Sequence, residues 1–191
     1  FYAIESFLEA CGLRNVVHLE NDVMLYMDLA RYLPAFRKAC PHVGLTMDSD
    51  RRCVPGILYF RDRESLGVMN DFVVRNALRS TKNDMRALAH FMNNAAPGDC
   101  SALPVLPPMY RELHALVSTE GEAGEKPWYD EAFESFEGVF DAAALGQYLG
   151  GVDPRNAVGD TRGFINETAV YDARNLGLFW KTEAGLRRPF G

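Results

Sequence analysis

The sequence predicts an α/β domain in which helices flank a mixed, largely parallel sheet, and three observations point to it. Short β-rich apolar runs alternate with helix-periodic stretches through the first half of the chain. Glycine and proline punctuate the joins between those runs. The 191 residues, 48% hydrophobic and 24% charged, are enough for one domain with a sizeable core, and no internal repeat divides them.

Ile4, Phe7, Leu8 and Cys11 follow helical spacing and Gly12 stands where a helix-terminating glycine belongs, so the chain opens inside a helix. Val16 to Leu19 reads as a short buried strand. Val43 to Met47 and Val54 to Phe60 read as neighbouring strands separated by a polar loop, Asp48 to Arg52. Leu66, Met69, Phe72 and Val73 mark a helix. Met85, Leu88, Ala89 and Met92 mark another, opened by the capping-box pattern Thr81-x-x-Asp84. The proline-punctuated segment from Pro97 to Pro108 reads as irregular, and Ser118 to Pro127 as an exposed loop; both are expected at the surface. A helix from about Asp141 to Leu149, a strand at Phe164 to Tyr171 and a C-terminal hairpin turning near Gly185 complete the chain. A sheet this short, entered from a helix, leads us to expect further strands upstream and an incomplete domain at both ends.

Composition removes several functions. The apolar runs are a few residues long, far below the roughly 20 needed to cross a bilayer. A net charge of −6, with no basic block longer than pairs such as Arg51-Arg52 and Arg187-Arg188, leaves nucleic acid without an electrostatic track. Cys11, Cys40, Cys53 and Cys100 are widely spaced and form no C-x-x-C pair, which reads as reduced thiols in a cytoplasmic protein.

The chemistry-bearing signal lies in "VVHLENDVMLYMDL". Glu20 and Asp22 follow an apolar strand, and in open α/β sheets ligands bind beyond the carboxyl ends of strands. On an extended segment residues i and i+2 share a face, so the two carboxylates would share one hard cation, with Asn21 turned aside or capping the loop. A plain polar turn explains them too. The literal D-x-D at Asp48-Ser49-Asp50 follows a strand as well, but "RRC" succeeds it, and a solvated loop is the expected reading. Asp141 stands before "AAALGQYL", either as a helix cap or as a carboxylate that orients or deprotonates an acceptor hydroxyl, with Gln147 as a sugar-contacting amide. Four scattered histidines, His18, His42, His90 and His114, suggest no zinc cluster.

"HLENDVMLYMDL" resembles the metal-binding segment of GT-A-fold nucleotide-sugar glycosyltransferases, with Glu20 in place of the usual first Asp. "VPGILYFRDRESLGVMNDF" is similar to the strand and helix that follow in glycogenin-like families. "KNDMRALAHFMNN" with Leu103-Pro104 resembles their Asp-Gln element, with Met85 where Gln is usual. "GVFDAAALGQYLGGVDPRN" and "GFINETAVYD" resemble bacterial glycosyltransferase-like proteins, so the similarity touches most of the chain from Val16 to Asp172. The resemblance implies a single GT-A-like domain over residues 1–191. It further implies a metal-dependent transfer of a sugar from a nucleoside-diphosphate-sugar donor to a glycan or other hydroxyl acceptor. Mn²⁺ or Mg²⁺ would be held by Asp22 and Glu20. Asp84 and Asp141 would serve catalysis, and Glu20, Asn21, Asn83 and Gln147 would contact substrate. The alternatives are a non-catalytic carbohydrate-binding or scaffold domain of the same fold and a sugar-phosphate nucleotidyltransferase.

Overall fold

The computed structural model describes residues 1–77, 83–110, 129–141, 145 and 179–190. Helix α1 (Tyr2–Cys11) ends where Gly12 takes a left-handed φ of 61°, returning its amide to the last helical turn. The edge strand β1 (Val16–Leu19) follows, then α2 (Leu29–Ala39), whose N-terminus Asp28 caps by accepting from the Ala30 amide at 3.0 Å. Strands β2 (Val43–Leu45), β3 (Met47–Ser49), β4 (Arg52–Cys53) and β5 (Ile57–Phe60) come next. Helix α3 (Arg63–Phe72) runs into a π-helical turn at Val73–Ala77. It is followed by α4 (Asp84–Asn94), β6 (Cys100–Ala102), a 3₁₀ turn at Pro108–Tyr110 and the one-turn α5 (Phe133–Phe136). Strands β7 (Phe179–Glu183) and β8 (Leu186–Phe190) pair as the expected hairpin, with Ala184 and Gly185 both at positive φ.

The main sheet has the order β1-β5-β2-β6. It is mixed, as expected, but not largely parallel: β5 is antiparallel to both β1 and β2, and β2 and β6 are the parallel pair. The segment joining β2 to β5 explains this. It is too short for the crossover that parallel neighbours need, and it folds into its own small antiparallel pair, β3 with β4.

Strand β5 is buried along its whole length and feeds both faces. Leu58 and Phe60 join Leu8, Val43, Leu45, Leu66, Met69, Leu88 and Phe91 under α1, α3 and α4. Ile57 and Tyr59 face the second cluster, with Phe36, Cys40, Leu103, Phe136 and Phe140. There Phe36 stacks on Tyr59 at 5.3 Å and meets Phe136 edge-on at 4.9 Å, which fastens α2 and α5 to the sheet.

Three expectations are corrected. The Pro97 to Pro108 segment contains β6 and buries Leu103, Val105 and Leu106, because its prolines flank the three paired residues without interrupting them. The cap of α4 is Asn83, accepting from the Arg86 amide at 3.0 Å, with Asp84 in the first turn. Asp48 to Arg52 is a hairpin. The helix expected at Asp141 to Leu149, the strand at Phe164 to Tyr171, the loop at Ser118 to Pro127 and Thr81 lie outside the described residues, apart from Asp141 and Leu145.

Gly44 sits where a Cβ would lie 2.9 Å from Cys40 Sγ and 3.2 Å from Tyr59 Cβ. Gly44→Ala is expected to cost about 1–3 kcal/mol, read from the urea midpoint at unchanged slope. The thiols are separated by burial: Cys11 is exposed, whereas burial pushes Cys40 from its ordinary 9.0 up to about 12 and raises Cys53 as well. At pH 8 an aromatic disulfide reagent should titrate Cys11 rapidly, and Cys40 and Cys53 only after unfolding. Because the folded-state pKa is the higher one, the stabilisation from neutral Cys40 is complete below 9.0 and is lost as pH rises toward about 12.

Candidate functional site

Strands β1 and β2 are both antiparallel to β5, and β6 is parallel to β2, so the carboxyl ends of β1, β2 and β6 open on one rim of the sheet. Glu20, Asn21 and Asp22 lie there, immediately after Leu19, and all three are exposed. They occupy a turn, not an extended continuation of the strand, so the shared-face argument from alternation does not apply. The Glu20 amide donates to the Gly56 carbonyl at 3.1 Å, and the Val23 amide closes the turn on the Glu20 carbonyl at 3.3 Å. The backbone thereby fixes the turn and leaves the side chains outward. Neither carboxylate makes a hydrogen bond or an ion pair among the described residues.

Asp48 and Asp50 differ sharply from the solvated loop expected for them. Asp48 is fully buried on β3 and ion-pairs with Arg52, whose Nε donates to its Oδ2 at 2.6 Å. The Asp50 carboxylate accepts from the Tyr129 hydroxyl at 2.8 Å, and its carbonyl accepts from Asn93 Nδ2 at 2.7 Å. The hairpin folds back against α4, which takes Asp48 out of water, and the guanidinium four residues on compensates it. Burial first, and then the hydrogen bond and charge of Asp50, raise the Tyr129 pKa well above its usual value, so the phenol stays a donor. The Tyr129 carbonyl accepts from the Val105 and Leu106 amides at 2.8 and 3.1 Å, joining this cluster to the chain beyond β6. Sequence reasoning reads Tyr129 as a core aromatic, which its burial bears out, but misses its bond to Asp50, the part played by Asn93 and the burial of Asp48; Arg52 beside the D-x-D was the available signal.

Asn83 and Asp84 are exposed at the start of α4, where Asp84 accepts from the Met85 amide at 2.9 Å. Asp84 and Asp48 both raise the Cys53 pKa through their charge, so α4 begins beside the hairpin. Asp141 is exposed and accepts from the Leu145 amide at 2.7 Å, in keeping with a helix start. Its neighbour Phe140 donates its amide to the Pro104 carbonyl at 2.7 Å, which sets Asp141 beyond the carboxyl end of β6. The structure thus brings Glu20, Asn21 and Asp22 into one turn and places Asp141 on the same rim. Gln147 lies outside the described residues.

Two exposed carboxylates with no basic partner among the described residues are a donor set that suits a hard divalent cation, which completes its shell with water or phosphate oxygens. Among the described residues no group of three or more His, Cys, Asp or Glu could hold a metal ion, and no helix is long and apolar enough to cross a membrane. No protein-family model matches the chain, and neither a curated protein nor a solved structure is significantly similar to it.

Arg52→Met strands Asp48 as a buried charge and is expected to cost about 3–5 kcal/mol. Asp48→Asn added to it should recover part of that loss in urea unfolding, which an effect of side-chain volume alone would not do.

Proposed function

We propose that the chain is a metal-dependent glycosyltransferase domain of GT-A type, moving a sugar from a nucleoside-diphosphate donor to a glycan or other hydroxyl acceptor. The observation that carries the reading is the Glu20-Asn21-Asp22 turn. It presents two outward carboxylates, free of cationic neighbours among the described residues, at the carboxyl end of β1. The position of Asp141 beyond β6, on the same rim, supports it further.

In this reading Asp22 and Glu20 hold Mn²⁺ or Mg²⁺, which when bound offsets negative charge on the departing diphosphate. Glu20 and Asn21 also meet the donor's ribose. Asn83 and Asp84 contact the donor sugar. Asp141, oriented by the Leu145 amide, takes or steers the acceptor hydroxyl proton, with Gln147 holding the acceptor. The engagement of Asn83 and Asp84 with the first turn of α4 favours a second reading, a non-catalytic carbohydrate-binding domain of the same fold.

Calorimetry with nucleoside diphosphates in the presence and absence of Mn²⁺ separates the two. The transferase reading expects metal-dependent binding that Asp22→Ala weakens by at least about tenfold. Glu9→Ala, an exposed carboxylate on α1, should leave it unchanged. Asp50 is no control, since it accepts from Tyr129. Glycan binding without metal-dependent nucleotide binding would sink the transferase reading in favour of the second.

A further inference from the structure

The acidic turn has a second support besides its backbone bonds. Gly56, in the connection between β4 and β5, lies against Val23: a Cβ built on it would stand 3.3 Å from Val23 Cγ2 and 4.0 Å from Val54 Cγ1. Gly56 is not among the glycines at positive φ, so its backbone is open to residues with side chains, and what the glycine supplies is room. The residues before it are fixed to the core. Thr46, buried just after β2, donates its hydroxyl to the Val54 carbonyl and accepts the Val54 amide on its own carbonyl at 2.9 Å. Pro55 is buried, and Ile57 opens β5.

We propose that Gly56 and Val23 are positioning residues for the cation: the half-buried Val23 side chain seats on the bare Cα of Gly56 and sets the direction in which Glu20 and Asp22 present their carboxylates. This rests on the reading of Glu20 and Asp22 as the cation turn. Gly56 holds that turn at both ends. Its carbonyl takes the Glu20 amide at 3.1 Å, and its open face takes the side chain of Val23, whose amide closes on the Glu20 carbonyl at 3.3 Å. Asp22 lies between these attachments and makes no hydrogen bond of its own among the described residues. A methyl added at Gly56 would press on Val23 by a few tenths of an ångström, and Val23, partly in solvent, is the side that can yield. Because the Val23 amide closes the turn, the carboxylates move when Val23 yields. The effect therefore falls on the site and not on the fold. Mg²⁺ demands near-ideal geometry from its oxygens, so a displacement of that kind lowers its affinity.

The test follows Mn²⁺ binding by the EPR signal of the free ion, and Mg²⁺ by competition against it, beside the urea midpoint of each protein. The proteins are the unaltered chain, Gly56→Ala, Val23→Ala, the double variant and Asp22→Ala. Gly56→Ala crowds the seat and Val23→Ala empties it, and each is expected to weaken both ions about 3- to 10-fold. The urea midpoint of Gly56→Ala should stay close to that of the unaltered chain. In the double variant the methyl at 56 meets the shortened side chain at 23, so both ions should bind more tightly than to either single variant. Asp22→Ala should weaken both ions by at least about tenfold. If Asp22→Ala weakens binding while Gly56→Ala and Val23→Ala bind as the unaltered chain does, or if the double variant loses the product of the two single losses, the proposal is overturned and the function stands. A collapse of the Gly56→Ala urea midpoint overturns it as well, since the contact would then serve the fold. If Asp22→Ala leaves Mn²⁺ binding intact, the turn is not the cation site, and both readings fall.

Discussion

The close approach at Gly44 is the constraint on which the rest of the structure depends. At the middle of β2, on the face opposite Val43 and Leu45, the missing side chain lets Cys40 at the end of α2, Tyr59 of β5 and Leu103 beyond β6 converge to near contact. That convergence seats α2 low enough for Phe36 to stack on Tyr59 and for Phe136 and Phe140 to close around it. From Phe140 the amide bond to Pro104 fixes where the chain leaves the sheet, and so where Asp141 stands. A backbone packing requirement in the core is thereby transmitted, by aromatic contacts and one hydrogen bond, to a carboxylate on the rim.

The hairpin between β2 and β5 follows a different logic. Burying the Asp48 carboxylate carries a desolvation penalty that pairing offsets only when the geometry is good, and Arg52 supplies the charge while remaining partly exposed. Asp50 then reaches outward to Tyr129, a residue 79 positions away, and the Tyr129 carbonyl satisfies two amides past β6. Two acidic residues thus act as structural ties at one end of the sheet, linking β3, α4 and the segment after β6. The net stabilisation from such a buried pair is modest, since desolvation offsets much of the Coulombic gain.

Periodicity made several elements legible. Helix α1 with Gly12, strand β1 and the β7–β8 hairpin with Gly185 appear within a residue or two of where spacing and turn chemistry put them. Strand direction was not legible from the same signals, because an all-apolar run such as Ile57 to Phe60 reads alike in either direction. The information lay in the connection, about ten residues after Leu45, which is too short for a helical crossover. Proline likewise misled at β6, where the paired residues fall between Pro97 and Pro104. Of the site, the place of Glu20 and Asp22 at a strand end was legible; their turn conformation, the burial of Asp48 and the partner Tyr129 were not, since each depends on contacts between segments far apart in sequence.

The chain carries two acidic-x-acidic elements at the same end of its sheet, and their surroundings decide what each can do. Asp48 Oδ2 is held by the Arg52 guanidinium and Asp50 Oδ1 by the Tyr129 phenol, while the buried Asp48 Oδ1 accepts no hydrogen bond among the described residues; a cation arriving there would meet the Arg52 charge already paired with the same carboxylate. Glu20 and Asp22 present no such obstacle. Their turn is held by its own amide and carbonyl groups, and among the described residues neither carboxylate has a partner that an external ligand would need to displace. On the proposed reading the less literal motif is therefore the one that binds. The distinction is thermodynamic: a carboxylate that already ties the fold together must be released before it can meet a ligand, and the turn held by the Gly56 carbonyl spares Glu20 and Asp22 that cost.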